Sequence, residues 1–253
     1  MKIIISPAKK MNICDDILEI SGLPDLIQEA GQLCSRLKEM SYEELKALWK
    51  CNDKIASLNE ERVRNMDLYG RLSPALLAYE GIQYQYMAPH VFTDSQWEYA
   101  QKNLRILSGF YGILKPRDGI IPYRLEMQAR LSVENEKDLY NYWKGKIAER
   151  LIEDKEESVL NLASKEYSRA VEPYIGKNTP FVTCTFGEIE DGRVKVKGTQ
   201  AKMARGEMVR WLTENQIGGI KEVSRFDGLG YSFRPELSDE AELVFVKETV
   251  RSK

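Results

Sequence analysis

The chain has 253 residues, of which 43% are hydrophobic and 30% charged, with a formal net charge of -2; it can bury a proper core and lies outside the low-hydrophobicity, high-charge regime of disorder. Its longest apolar runs, at 3–5 and 244–246, fall far short of the roughly 18 residues a membrane helix requires, and no secretory leader is visible at the N-terminus, so a cytoplasmic protein with no membrane partner is expected. Four cysteines without paired spacing (Cys14, Cys34, Cys51, Cys184) and a single histidine, His90, argue against disulfides and a zinc site, and no metal or cofactor is expected.

In chain order, the β-branched run at 2–6 reads as a buried first strand stopped by Pro7. Residues 25–40 carry apolar side chains at helical spacing, and Ser41 with Glu44 forms a capping box for a second helix. Residues 54–69 continue the helical pattern up to Gly70, and Pro74 suits the first turn of another segment. Thr93 with Gln96 repeats the capping box, and Trp97, Ala100, Leu104 and Leu107 predict one helical stripe ending at Gly109. The spacing predicts a long helix over 138–155, then a central strand over 158–163. Residues 181–188 and 193–197 flank Asp191-Gly192, the signature of a type I′ hairpin. A helix over 199–215 and two strands, near Tyr231 and at 243–247, close the chain. This order of elements, with no repeat and no linker, predicts one compact mixed α/β (α+β) domain over 1–253, a central mixed sheet surrounded by helices.

Charge is unevenly distributed. Residues 15–61 hold eleven acidic against five basic residues, whereas 100–130 hold six basic against two acidic and 193–210 six basic against one. Basic stretches of this kind attract polyanions. The chain has no phosphate-binding G-x-x-x-x-G-K-[ST] loop, and Gly228-Leu229-Gly230 lacks the third glycine of a dinucleotide fingerprint. The richest segment is 104–127, where Gly109, Gly112, Gly119, Pro116 and Pro122 impose turns beside Arg105, Ser108, Lys115, Arg117 and Arg124. Amides and cations on shared turns are suited to phosphate oxygens, and the segment is similar to a helix-hairpin-helix, for which 94–123 is the candidate. Ser164 follows the 158–163 strand and is placed to cap a helix whose free N–H groups would hold an anion. Lys202 and Arg205 stand at i and i+3, on one helical face.

Together, Ser-Pro-Ala-Lys at 6–9, Tyr79-Glu80-Gly81, the 104–127 segment, Asn-Leu-Ala-Ser at 161–164 and Ala-Lys-x-Ala-Arg-Gly at 201–206 resemble the YaaA family of peroxide-stress proteins, end to end, with the acidic region 11–70 matching more loosely. The resemblance implies a family-specific mixed α/β fold, a positively charged cleft, a helix-hairpin-helix element, DNA binding and a role in tolerance of oxidative DNA damage. Positions carried over on the motifs are Lys9, Arg105, Ser108, Tyr123, Arg124, Glu126, Asn161, Ser164, Tyr167, Lys202 and Arg205.

The leading expectation is a DNA-binding protein that grips duplex or branched DNA through phosphates, with recombination or repair proteins as further partners. The alternative is an enzyme on damaged or modified bases, in which a desolvated lysine (Lys9 or Lys202) is the nucleophile and Glu126 moves protons. A third reading docks a basic partner on the acidic helices at 15–69.

Overall fold

The computed structural model describes residues 1–152 and 158–247. At its centre is β1 (Lys2–Ile5), whose four residues are all buried, as a strand covered on both faces requires. β1 pairs in parallel with β2 (Leu104–Ser108) on one side, Ile3 opposite Leu104 and Ile5 opposite Ile106. β3 (Gly112–Leu114) folds back antiparallel on β2. On the other side of β1 lies β4 (Val159–Leu162), parallel, with Ile5 opposite Leu162. Beyond it runs β5 (Phe181–Glu190), which turns at Asp191 and Gly192, both at positive φ, into β6 (Arg193–Lys195). β7 (Tyr231–Phe233) and β8 (Glu242–Lys247) finish the sheet, in the order β7-β8-β5-β4-β1-β2-β3 with β6 paired to β5 alone. The fold is the mixed α/β architecture that the sequence predicts.

The path of the chain fixes where a site can form. From β1 it passes through the helices Ile27–Glu39, Tyr42–Trp49, Asp53–Arg64, Ile82–Met87 and Asp94–Asn103 to β2, and only later returns to β4 on the opposite side. The winding direction therefore reverses at β1, and such a switch point opens a crevice beyond the C-terminal ends of the parallel strands. Both expected capping boxes are present: Ser41 and Glu44 exchange side-chain-to-amide bonds, as do Thr93 and Gln96.

Three expectations fail, each for a local reason. The stripe through Leu107 is helix only to Asn103; from Leu104 the backbone is extended as β2, because a short apolar run fits both periods and the open edge of β1 decides between them. The segment 94–123 is thus a helix followed by the β2–β3 hairpin, not a helix-hairpin-helix. The helix expected over 138–155 is broken into Leu139–Trp143 and Lys146–Leu151 at Lys144, which has φ 42°; residues 153–155 of that expectation lie outside the described residues. The helix expected over 54–69 ends at Arg64.

The helix Gly198–Glu214 lies across Ile82–Met87, and Gly206 is what permits it: a Cβ there would stand 2.1 Å from the Gln83 carbonyl oxygen. Substitution Gly206→Ala should therefore destabilise the fold by roughly 1–3 kcal/mol, the usual cost of overpacking, visible as a lower urea midpoint. A second check concerns Asp118, 4% exposed, whose Oδ2 accepts from the Lys115 amide at 2.8 Å. Burial pushes its pKa up to about 7, against about 3.9 in an unfolded chain. The native state then binds more protons than the unfolded state between these values, so stability falls as pH rises through that window. The drop in urea midpoint from pH 5 to pH 8 should be smaller in Asp118→Asn than in the wild type.

Candidate anion-binding cleft

The crevice beyond β1, β2 and β4 is a hollow of about 410 Å³. Each wall comes from a different stretch of chain. Ser6, Pro7, Ala8 and Lys9 leave the end of β1; Ser164, Glu166 and Tyr167 follow β4; Arg124 and Glu126 come from the strap after β3; Gln83 and Tyr84 lie on the Ile82–Met87 helix, and Lys202 and Arg205 on the helix that Gly206 presses against it. A second hollow of about 350 Å³, lined by Trp49, Lys50, Gln128 and Arg130, shares Lys9 and Glu126 with the first, so the two adjoin across that ion pair as a two-part trough.

Serine and tyrosine hydroxyls lock the floor. The Ser6 Oγ accepts from the Ser164 amide at 2.8 Å, and the Tyr84 hydroxyl donates to the Ser6 carbonyl at 3.0 Å. The Tyr123 hydroxyl lies 2.7 Å from that of Tyr79 and 2.6 Å from the Ser108 Oγ, all three buried. Burial pushes the Tyr123 phenol up to about 12.

Over this floor sit the charges. Glu126 joins two cations, with Lys9 Nζ 2.8 Å from one carboxylate oxygen and an Arg124 guanidinium nitrogen 3.3 Å from the other. Burial raises the pKa of Glu166, and the neighbouring Glu126 carboxylate raises it further. Burial lowers the pKa of Arg205. The larger hollow is lined by five basic residues (Lys9, Lys10, Arg124, Lys202, Arg205) against three acidic ones (Glu80, Glu126, Glu166).

One property separates this trough from the rest of the protein. Among the described residues, five buried side-chain polar atoms have no hydrogen-bond partner within the chain: Trp49 Nε1, Gln83 Nε2, Arg124 Nε, Arg205 Nε and Gln200 Oε1. The first four are donors, and all four belong to residues that line the trough. Burying a donor unpaired costs about 1–3 kcal/mol each, and the side chains that carry these four lie along the walls of the two adjoining hollows.

The structure gathers eight of the candidate residues here: Lys9, Tyr123, Arg124, Glu126, Ser164, Tyr167, Lys202 and Arg205. The others do structural work elsewhere. Arg105 is 4% exposed and donates to the Gln101 and Leu104 carbonyls. The buried Ser108 Oγ takes the amides of Phe110 and Tyr111, so the 109–112 turn presents neither amide to a ligand. Gly109 is required by packing, since a Cβ would lie 2.5 Å from the Leu125 carbonyl oxygen; its absence lets the strap bearing Arg124 and Glu126 pass. Gly112 makes the β2–β3 turn at φ 72°. Lys115 pairs with Asp25 at 3.0 Å, and Arg117 donates to the Glu19 carbonyl. Asn161 is buried, its side chain bonded to Thr183 and to the Ala163 amide. Ser164 does not cap through its hydroxyl, and the helix after it has only four residues.

Two alternatives lose their footing on this geometry. Lys9 is 64% exposed and ion-paired, and Lys202 is exposed, so neither is the desolvated lysine that nucleophilic chemistry needs. Of the acidic groups at 15–69, many are engaged within the chain: Asp15 with Arg71, Asp25 with Lys115, Asp53 with Lys46, Glu60 with Arg64 and Glu44 in its capping box. Motif reading did not single out Trp49, Gln83, Tyr84 or Glu166 as site residues. Nothing local marks Gln83 or Trp49, which enter the trough only through helix packing.

Fold and cleft define a class: a mixed α/β protein with a donor-rich, net cationic crevice at the switch point of its sheet. Within it, the chain belongs to the peroxide stress protein YaaA family, whose model matches residues 1–237. It is 52% identical to a UPF0246 protein of Desulfitobacterium hafniense and 49% identical to one of Pediococcus pentosaceus, each alignment covering 98% of both chains. It is 51% identical to a UPF0246 protein of Agathobacter rectalis over 98% of this chain and 99% of that relative.

The bridge from Glu126 to Lys9 and Arg124 sets the potential at the centre of the trough. Glu126→Gln removes one negative charge there and frees both cations, and should strengthen binding of inorganic phosphate several-fold at low salt, read by calorimetry.

Proposed function

We propose that this protein is a nucleic-acid-binding member of the peroxide stress response, holding a DNA strand by its phosphates along the trough. The observation that supports the reading is a pair of adjoining hollows lined by more cations than carboxylates, four of whose lining residues, Trp49, Gln83, Arg124 and Arg205, each carry a buried donor without an acceptor within the chain. Phosphate oxygens supply acceptors without donors, and a phosphodiester chain supplies them repeatedly, as a trough of two joined hollows requires. Lys202, Arg205 and Arg124 line the larger hollow, Lys50 and Arg130 the smaller, and Lys9 both. Contacts of this kind position a backbone and read little sequence.

If the six cations each neutralise about one phosphate, log K should fall against log salt with a slope near -4 for the single strand and near -5 for the duplex, roughly a several-hundredfold to thousandfold loss between 50 and 200 mM. Fluorescence anisotropy on a 30-nucleotide strand and its duplex measures this. Lys50→Ala and Arg130→Ala should each make the slope shallower by about one. A slope near zero, or one that neither substitution changes, removes the reading.

A further inference from the structure

We propose that the 410 Å³ hollow is a receptor for one nucleoside monophosphate, so that a whole nucleotide, and not its phosphate alone, enters the deep end of the trough. This rests on the strand-binding reading, shares its unpaired donors, and adds the volume of the larger hollow and the rest of its lining.

The volume comes first. At about 410 Å³ the hollow lies in the range of small-molecule sites, about 300–1,000 Å³, and is several times larger than a lone phosphate needs. Its donors are the second point. Arg124, Arg205 and Gln83 line the hollow and each carry a buried donor without a partner in the chain; two guanidinium groups, one of them already bonded to Glu126, and an amide are side chains matched to the several acceptor oxygens of a phosphate monoester.

The remaining lining favours an occupant with more than an anionic end. Tyr84, Tyr123 and Tyr167, each under 7% exposed, line the hollow together with Leu125, so part of its wall is aromatic and apolar, which suits an uncharged ring. The carboxylates of Glu166 and Glu80 line the same hollow. Glu80 is engaged by Lys10 and Asn12; Glu166, which accepts from the Gln128 amide, would repel an anion placed against it, while its remaining lone pairs suit the amino and ring N–H groups of a base or the hydroxyl of a sugar. A ligand with an anionic end, a planar body and peripheral donors meets all three demands, and a mononucleotide has this composition.

Calorimetry on the full chain tests it, using inorganic phosphate, deoxyribose 5-phosphate, deoxyadenosine and the four deoxynucleoside 5′-monophosphates. At least one monophosphate should bind ten times more tightly than inorganic phosphate and than deoxyadenosine. Gln83→Met keeps the side-chain size and removes an unpaired donor; it should weaken that monophosphate at least tenfold while leaving the free protein as stable as before or more so. Arg205→Lys keeps the charge but loses the fork, and should weaken the monophosphate similarly with the salt slope of strand binding unchanged. A merely structural role for either side chain would instead lower the melting temperature and leave ligand affinity alone.

The source of the nucleotide is read from a strand carrying one 2-aminopurine. A fluorescence rise on binding that the monophosphate reverses identifies an unstacked nucleotide of the strand; tight monophosphate binding without a rise identifies a free nucleotide, and either supports the proposal. Affinities no better than inorganic phosphate, or unchanged in both variants, overturn it. In that case a strand that still binds with a steep salt slope leaves the trough reading intact. Loss of strand binding with tight monophosphate binding has the opposite meaning: the receptor stands and the trough reading falls.

Discussion

The structure depends on β1 being paired in parallel on both of its edges. Ile5 stands opposite Ile106 and Leu162 at once, so three chain exits, at residues 6, 109 and 163, emerge side by side at the same end of the sheet. A parallel strand needs a crossover connection before its neighbour can be reached. The crossover from β1 leads to β2 on one side, and the later return from β3 reaches β4 on the other, which leaves a gap above the end of β1. The cleft is a consequence of topology before any side chain is considered.

Side chains then make that gap specific. The tyrosine and serine hydroxyls of the floor satisfy one another, whereas the cationic rim is left with donors unspent. A native protein keeps few such groups, because each costs stability. Four of the five found among the described residues belong to side chains lining the two hollows, and the Glu126 bridge shows how like charges are held near each other: one carboxylate lies between Lys9 and Arg124 and moderates their repulsion.

Particular residues show why some of the site was legible in the sequence and some was not. Lys202 and Arg205 were readable as one face because helical spacing alone puts i and i+3 together. Ser6 to Lys9 and Ser164 to Tyr167 were readable as strand exits, since an apolar run followed by a breaker announces itself. Arg105 and Asn161 carry the same residue types on the same motifs, yet they sit inside strands facing the interior and serve carbonyls and amides there. Gly109 and Gly112 looked like a phosphate-binding turn, but Ser108 consumes the amides and the missing Cβ of Gly109 makes room for a passing strap. Glycine is demanded equally by a ligand and by a neighbouring backbone, and no local pattern separates the two.

By itself, the sequence determined the class of fold, the capped helices, the Asp191-Gly192 hairpin and the buried first strand, all of which follow from interactions between residues a few positions apart. Tertiary structure alone decided that 104–108 is strand, that the helix around 144 breaks, and that Trp49, Gln83, Arg124 and Arg205, each with a donor unpaired, line two adjoining hollows. Those outcomes depend on the free edge of β1 and on the approach of two helices at Gly206, contacts between segments a hundred or more residues apart, which periodicity along the chain does not record.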